Sequence, residues 1–426
     1  MILFGIVLLL LALLGAPLFS IIAASAMSNF YLADIDLSVV AIELYRLAEM
    51  PALIALPLFT FAGYLMGESK APQRLVQLTD ALLGWMPAGL AIVSLAACAF
   101  FTAFTGASGV TIIALGALLY PALKQAGYPE NFNLGLITTS GSLGLLFAPS
   151  LPLILYGIIV QQMNLSQSVT IDDMFVAGIL PGLLMLLLLI GWSLHVNRKV
   201  ARPLEKFQWQ KVKVAVRASA WELPMPFIVL GGIYTGFFAV SEAAAVTVLY
   251  VLIVEVFIHK EVTLIRLPDV MRDSMILVGA ILVILGVSLA STNYVIDADI
   301  PTKLFNTIKE YVSSKLTFLI LLNIFLLILG ALLDIFSALV LMIPLLLPIA
   351  IGYGIDPVHL GIIFLANMQL GYFTPPVGMN LFIASHRFQK PVMQLYKATL
   401  PFFFILLGAV LIITYWPSLS LSLLGR

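Results

Sequence analysis

Long apolar runs recur along the whole sequence, and Gly, Pro and small polar residues interrupt several of them. About 20 apolar residues in a helix cross the hydrocarbon core of a bilayer, so these runs predict membrane-spanning helices. Continuous runs predict single spans near residues 2–24, 51–66, 175–192, 222–239, 242–257, 275–296 and 399–416. No Lys or Arg precedes the first run, which favours a retained span over a signal peptide. The pattern predicts an all-α polytopic membrane protein rather than a β-barrel, whose strands would alternate polar and apolar residues.

Four other apolar segments have polar or Gly- and Pro-rich centres. Residues 89–123 are divided near Gly106 and residues 316–351 near Asp334, and we expect each segment to form a re-entrant helical hairpin. Residues 132–160 are interrupted at Pro149 and residues 358–384 near Thr374, which predicts two broken helices. Broken helices are tolerated in a membrane where the freed backbone groups line a cavity or bind something.

The hairpin and broken helix of the first half reappear about 227 residues later in the second half. With one single-residue gap near residue 130, the matched pairs are Pro121 and Pro348, Gly127 and Gly354, Gly144 and Gly371, and Pro149 and Pro376. The repeat divides the chain into a first unit (1–195), a basic connector (196–217) and a second unit (218–426). Repeated segments that Gly and Pro interrupt indicate the binding site of a transporter with inverted repeats.

The distribution of charge predicts how the two units lie in the membrane. The connector contains seven Lys and Arg against one acid, Glu205, which predicts a cytoplasmic location. Counting spans outward from the connector places 16 of the 21 Lys and Arg residues inside and gives the two units opposite orientations. The chain is 62% hydrophobic, with a mean hydropathy of +1.11 and no net charge, so nucleic acid is not an expected partner.

Hydroxyls, amides and freed backbone groups at the breaks are the candidate binding groups. Broken helices present carbonyls that can hold Na⁺ and N–H groups that favour an anion. For substrate we predict Ser108, Thr139, Ser140, Ser150, Asn367 and Asn380. For Na⁺ we predict Thr105, Gly106, Gly144, Gly330, Asp334, Thr374 and Gly378. The alternatives are hydroxyls that bond to their own helix and an Asp334 that caps the second hairpin arm.

An intramembrane serine protease is a remote alternative. The residues Gly106-Ala107-Ser108-Gly109 are similar to the Gly-x-Ser-Gly motif of rhomboid proteases, in which a His on another span activates the serine. No His lies in the middle of a predicted span, so we expect a transporter subunit and not an enzyme.

Several motifs resemble the large membrane subunit of tripartite ATP-independent periplasmic (TRAP) transporters, over essentially the whole chain. They are Phe104-Thr105-Gly106-Ala107-Ser108, Gly141-Ser142-Leu143-Gly144-Leu145-Leu146-Phe147-Ala148-Pro149-Ser150, Ser241-Glu242-Ala243-Ala244-Ala245-Val246 and Thr374-Pro375-Pro376-Val377-Gly378-Met379-Asn380-Leu381-Phe382. The resemblance implies an elevator-type transporter of the ion transporter superfamily kind, with a mobile domain that carries both hairpins.

The resemblance also implies the function and the partners. We expect Na⁺-driven symport of an organic acid, of the sialic acid or C4-dicarboxylate type, across the bacterial cytoplasmic (inner) membrane. A periplasmic substrate-binding (P) protein would deliver the substrate, and a separate small membrane (Q) subunit of about four spans would complete the scaffold in the lipid bilayer. Na⁺ is the expected coupling ion, with no organic cofactor. The alternative is a stand-alone Na⁺/carboxylate elevator that uses no binding protein.

Overall fold

The computed structural model describes residues 7–425 except 9, 12, 13, 164–168 and 198–206. Part of the predicted first span and most of the basic connector, including Arg198, Lys199, Arg202 and Lys206, therefore lie outside the described residues. The described chain is helical and contains no β-strand. The helices are α1 (Leu18–Leu32), α2 (Ser38–Ala48), α3 (Ala55–Glu68), α4 (Ala71–Leu83), α5 (Gly89–Thr105), α6 (Ser108–Gln125), α7 (Glu130–Ser140), α8 (Leu151–Gln162), α9 (Ile171–Val196), α10 (Trp209–Ala218), α11 (Pro224–Tyr234), α12 (Val240–Leu252), α13 (Leu267–Asp297), α14 (Ile300–Tyr311), α15 (Lys315–Leu332), α16 (Ile335–Gly352), α17 (Pro357–Gly371), α18 (Met379–Phe388), α19 (Val392–Tyr415) and α20 (Ser418–Leu421).

Eight helical segments among the described residues are long and apolar enough to cross a membrane. They include the continuous helices α9, α15, α16 and α19, and the interrupted segment from α7 to α8. The prediction of an all-α multi-pass membrane protein is confirmed.

Each predicted hairpin segment contains two helices joined by a two-residue turn, and the two arms of the first hairpin also pack together. Gly106 and Ala107 join α5 to α6, and Leu333 and Asp334 join α15 to α16. The arms of the second hairpin have 18 residues each, which is about 27 Å of helix and close to a full crossing. Arm length therefore does not distinguish a re-entrant hairpin from two spans, and re-entrance stays a prediction.

Each segment predicted as a broken helix contains two helices separated by irregular chain. The first break runs from the end of α7 at Ser140, through a 3₁₀ turn at Leu143–Leu146, to the start of α8. The second break runs from Gly371 to Met379. The peptide bonds before Pro149 and Pro376 are both cis. Each break exposes carbonyls at one helix end and N–H groups at the next.

Packing between the two units is reciprocal. The second hairpin arms, α6 and α16, begin and end 227 residues apart, as the repeat requires. Helix α6 packs against α18 and α16 packs against α8; likewise α7 packs against α19 and α17 against α9. Such an exchange of partners is what a two-fold relation between the units produces. The direction of that axis relative to the membrane stays a prediction.

The first arm of each hairpin touches the backbone of its own broken helix at a glycine. A methyl group on Gly144 would lie 2.2 Å from the carbonyl oxygen of Ala99, and one on Gly371 would lie 2.4 Å from the carbonyl carbon of Gly330. Real side chains do not approach backbone so closely, so only glycine fits at either position. The two repeat-related glycines thereby let each hairpin pack directly on its break.

A buried ion cluster ties α4, which leads into the first hairpin, to the second unit. The Arg74 guanidinium donates to Glu222 at 2.5 Å, to Glu261 at 2.6 Å and to Glu255 at 3.1 Å. Glu255 lies on a π-helical turn, Ile253–Ile258, and Glu261 also accepts the backbone N–H of Lys70 at 2.7 Å. We call these four side chains the Arg74 cluster. It fixes the start of α4 against α12 and the loop that follows.

Candidate functional site

The tip of the first hairpin rests on the first turn of α8, directly after the first break. Gly106 has a left-handed backbone (φ +64°), and a methyl group there would lie 2.4 Å from Cγ of Leu151. Thr102 also links the hairpin to the first break, because its hydroxyl donates to the carbonyl of Gly141 at 2.9 Å and hydrogen-bonds with the Thr111 hydroxyl at 2.6 Å. Both hairpin arms are thereby linked to the first break.

Ser108 and Asn380, both predicted substrate residues, bring the two units into contact. The Ser108 hydroxyl donates to Oδ1 of Asn380 at 2.8 Å, and Nδ2 of Asn380 donates to the carbonyl of Thr138 at 3.3 Å. Ser108 is the first residue of α6 and Asn380 lies in the first turn of α18. An amide oxygen cannot serve as a general base, so this arrangement does not activate Ser108 as a nucleophile.

Thr105 and Ser150 have hydroxyls without partners. Both residues are fully buried, and neither hydroxyl has a hydrogen-bond partner. Leaving a buried hydroxyl unpaired costs about 1–3 kcal/mol, so such groups are retained where they bind something. Thr105 precedes Gly106 and Ser150 precedes Leu151, the two residues through which the hairpin tip contacts α8. We call Thr105, Ser108, Ser150 and Asn380 the hairpin-1 site.

Three helix N-termini meet at the hairpin-1 site. Helices α6, α8 and α18 begin at Ser108, Leu151 and Met379, and none of their N-cap residues makes a side-chain capping bond. Their first turns are not equally open, because the Asn380 N–H of α18 donates to the Tyr372 carbonyl at 2.9 Å and Pro152 of α8 has no N–H. The first N–H groups of a helix have no partner within the helix and carry the positive end of its dipole. The site therefore attracts negative charge without a Lys or Arg side chain among its four residues.

Two further predicted residues bond to their own helix instead. The Thr139 hydroxyl donates to the Gly135 carbonyl at 2.8 Å, and the Ser140 hydroxyl donates to the Ile137 carbonyl at 3.3 Å. This is the alternative that the sequence left open, and it leaves these hydroxyls engaged in the present structure.

The second hairpin tip contacts the second break chiefly through its backbone. The Gly378 N–H donates to the Ala331 carbonyl at 3.1 Å. The Thr374 hydroxyl instead donates to the Leu370 carbonyl of its own segment at 2.7 Å. Asp334 caps α16, accepting the N–H groups of Phe336 and Ser337 at 3.0 Å and the Ser337 hydroxyl at 2.5 Å. An ionised carboxylate has about four acceptor positions, so Asp334 keeps one for a further ligand.

Asn367 lies in a different polar group from the hairpin-1 site. Its Nδ2 donates to Oδ1 of Asn323 at 2.7 Å, and Thr414 donates to the same oxygen at 3.1 Å. This group joins α15, α17 and α19. The structure therefore does not place Asn367 with Ser108 and Asn380.

Gln369 was missed by the sequence reasoning. It is 1% exposed, and neither atom of its amide has a partner. The Ser142 hydroxyl donates to the backbone carbonyl of Gln369 at 3.5 Å, and Ser142 is the counterpart of Gln369 227 residues earlier. Counterparts of two repeats touch near the axis that relates them, so the predicted repeat implies that its axis would pass here. The repeat offset itself, applied to the first break, was the signal that could have identified Gln369.

Comparison with known proteins gives one family for the whole chain. Residues 4–419 match the family described as "Tripartite ATP-independent periplasmic transporter, DctM component". The chain is 32% identical over 432 residues to the C4-dicarboxylate TRAP transporter large permease protein DctM of Rhodobacter capsulatus, covering 99% of this chain and 98% of that protein. It is 33% identical over 417 residues to the isethionate TRAP transporter permease protein DctMQ of Oleidesulfovibrio alaskensis, covering 96% of this chain but only 62% of that protein.

Other relatives differ in the substrate that they are named for. The ectoine/5-hydroxyectoine TRAP transporter large permease protein UehC of Ruegeria pomeroyi is 29% identical over 417 residues, with 97% of this chain and 96% of that protein covered. The crystal structure of the Alcanivorax borkumensis YdaH transporter superposes with a TM-score of 0.63 at 14% identity, covering 90% of this chain and 88% of that one. At this identity the match shows a shared fold.

Proposed function

Because the chain belongs to the DctM family of large TRAP permeases, we propose that it carries an organic acid, of the C4-dicarboxylate or sialic acid type, into the cell with a Na⁺ gradient. The observation that carries this proposal is that three helices, none with a side-chain cap, begin at the hairpin-1 site. Helix N-termini bind carboxylates through backbone N–H groups and the helix dipole. The family is one of transporter permeases, and we propose that this chain likewise has no enzymatic role.

Na⁺ would bind beside the anion. The unpaired hydroxyls of Thr105 and Ser150 are oxygen ligands suited to a hard cation, and the backbone of Gly106 and Gly144 lies nearby. A second Na⁺ would use the free acceptor position of Asp334 together with carbonyls around Gly330, Thr374 and Gly378. Binding of both ions would add positive charge close to the anionic substrate and strengthen its attraction.

Transport would proceed by an elevator movement of the two hairpins and broken helices against the remaining helices. The chain would lie in the bacterial inner membrane with a separate small membrane subunit of about four spans. A periplasmic binding protein would dock on the outer face and release the substrate to the hairpins. Energy would come from the Na⁺ gradient, with no organic cofactor.

Uptake into proteoliposomes tests the proposal. The chain, co-purified with its small subunit, would be given labelled succinate or sialic acid under an inward Na⁺ gradient, with and without the binding protein. We expect uptake of one acid that requires both Na⁺ and the binding protein. Uptake with Na⁺ alone would support the stand-alone carrier instead, and uptake indifferent to Na⁺ would refute the cation sites.

Matched valine variants test the hairpin-1 site itself. Thr105→Val removes the unpaired hydroxyl while keeping the shape of the side chain, and we expect the Na⁺ concentration for half-maximal uptake to rise about tenfold, the equivalent of about 1.4 kcal/mol. Thr399→Val is the control, because the Thr399 hydroxyl is buried on α19 and bonds to its own helix at Leu395. Equal Na⁺ dependence in the two variants would remove Thr105 from the proposed ion site.

A further inference from the structure

Helix α10 is a short surface helix with three distinct faces. Val212 and Ala215 are buried where α10 packs against α4. Lys213 and Arg217, one turn apart, are exposed on the opposite face. Trp209 and Val216, two turns apart, lie along one edge and are also exposed. The helix is therefore amphipathic in two directions: it packs on the protein on one side and presents both apolar and basic side chains outward.

The apolar edge continues into an exposed aromatic cluster. The ring of Phe207 lies 6.3 Å from that of Trp85 and 6.2 Å from that of Trp209. Trp85, Phe207 and Trp209 are 45%, 48% and 60% exposed. Exposed Trp side chains in a multi-pass membrane protein concentrate at the level of the lipid headgroups. We expect this cluster to mark that level on the side of the basic connector, which the charge distribution places in the cytoplasm.

Helix α10 itself carries only basic charge, although Asp80 of the adjoining α4 lies beside Gly84, the residue before Trp85. Residues 207–218 contain Lys211, Lys213 and Arg217 and no acidic residue. Neither Lys213 nor Arg217 forms an ion pair with any residue in the described part of the chain. Basic residues beside interfacial aromatic rings attract the acidic phospholipids of the cytoplasmic leaflet.

We propose that α10 and the Trp85–Phe207–Trp209 cluster form a binding surface for the headgroups of acidic phospholipids. The rings lie among the upper acyl chains, and Lys213 and Arg217 reach the phosphate groups. Helix α4, on which α10 packs, leads directly into the first hairpin. The proposal needs only the placement of the chain in a membrane and is independent of its substrate.

Quenching of tryptophan fluorescence by brominated lipids tests this surface. The protein would carry Trp192→Phe, Trp221→Phe and Trp416→Phe, so that Trp85 and Trp209 report alone. It would be reconstituted into phosphatidylcholine vesicles containing equal amounts of brominated phosphatidylglycerol or brominated phosphatidylcholine. We expect stronger quenching by phosphatidylglycerol at low salt and a smaller difference at high salt, because salt screens the attraction.

Charge variants identify the residues responsible. The double variant Lys213→Gln, Arg217→Gln should abolish the preference for phosphatidylglycerol. The control Lys303→Gln, Lys309→Gln removes the same charge from the surface helix α14 and should leave the preference intact. Equal quenching by both lipids would overturn the proposal, as would the absence of quenching by either. Loss of quenching when the small membrane subunit is added would also overturn it, since the surface would then belong to that subunit.

Discussion

The Arg74 cluster and the hairpin-1 site both bury polar groups, and they do so in opposite ways. The Arg74 cluster uses full charges, and its guanidinium donates to three carboxylates. The hairpin-1 site uses neutral hydroxyls, an amide and helix ends, and two of its hydroxyls have no partner. A buried charge without a partner is far more costly than a buried hydroxyl without one. The charges of the Arg74 cluster are therefore paired with one another, whereas the unpaired groups of the hairpin-1 site are neutral.

The largest effect is expected from removing the positive charge of the Arg74 cluster. Arg74→Gln leaves the buried Glu255 and the partly exposed Glu222 and Glu261 without their counter-ion and should lower the free energy of unfolding by about 3–5 kcal/mol. Thermal or denaturant-induced unfolding of the protein in detergent measures the decrease in the free energy of unfolding. The control is Arg46→Gln, because the Arg46 side chain is 58% exposed and its pair with Glu43, at 3.7 Å, should be worth less than about 1 kcal/mol.

A second substitution separates lost attraction from repulsion. Adding Glu255→Gln to Arg74→Gln removes one of the uncompensated charges, so the double variant should be more stable than Arg74→Gln alone. If Arg74→Gln behaved like Arg46→Gln, the cluster would not be a permanent contact, and the contrast with the hairpin-1 site would fail.

At and beside the hairpin-1 site, substitution of a paired threonine and of an unpaired threonine should change stability differently. Thr102→Val leaves the Gly141 carbonyl and the Thr111 hydroxyl without their partner and should cost about 1–3 kcal/mol. Thr105→Val removes a buried hydroxyl that has no partner, so the free energy of unfolding should rise, by up to about 1–3 kcal/mol. The same melting experiment compares them, and equal losses would mean that the Thr105 hydroxyl is satisfied.

The sequence predicted the fold through features that are local. Apolar runs and their Gly and Pro interruptions predict the helix-rich, multi-pass architecture, and the motifs predict the family; both are confirmed. Side-chain partners are not local. Ser108 at the tip of the first hairpin and Ser140 at the first break are the same residue type, yet only Ser108 bonds to an amide 272 residues away. Arg74 looked like an ordinary cytoplasmic charge, because its three partners lie 148 to 187 residues away.

A double-mutant cycle measures the bond that joins the two units at the hairpin-1 site. Ser108→Ala, Asn380→Ala and the double variant should give a coupling energy of about 1 kcal/mol in unfolding, typical of one neutral hydrogen bond. Thr139→Ala with Asn380→Ala is the control and should show additive losses, since the Thr139 hydroxyl bonds to its own helix. Coupling in the control pair would contradict the assignment of Ser108 as the link.

The smallest expected effect is the response of the Arg74 cluster to acid, because protonation of Glu261 removes only one of the three carboxylate partners of Arg74. Burial acts to raise the pKa of Glu261, but the hydrogen bonds from Arg74 and from the Lys70 N–H outweigh it, so the pKa lies below the usual value of 4.5. A carboxyl group whose pKa is lower in the folded state stabilises the fold when ionised. That contribution to the free energy of unfolding is complete above about pH 4.5 and is lost as the pH falls further.

Glu261→Gln should therefore melt at a lower temperature than the parent at pH 7, and the difference in melting temperature should narrow towards pH 3. Other acids titrate in both proteins, so the difference between the two curves isolates Glu261. A melting-temperature difference that does not change with pH would mean that the charge of Glu261 contributes nothing. Ser108→Ala is the control: the hairpin-1 site has no ionisable side chain, so the difference in melting temperature between this variant and the parent should not narrow towards pH 3.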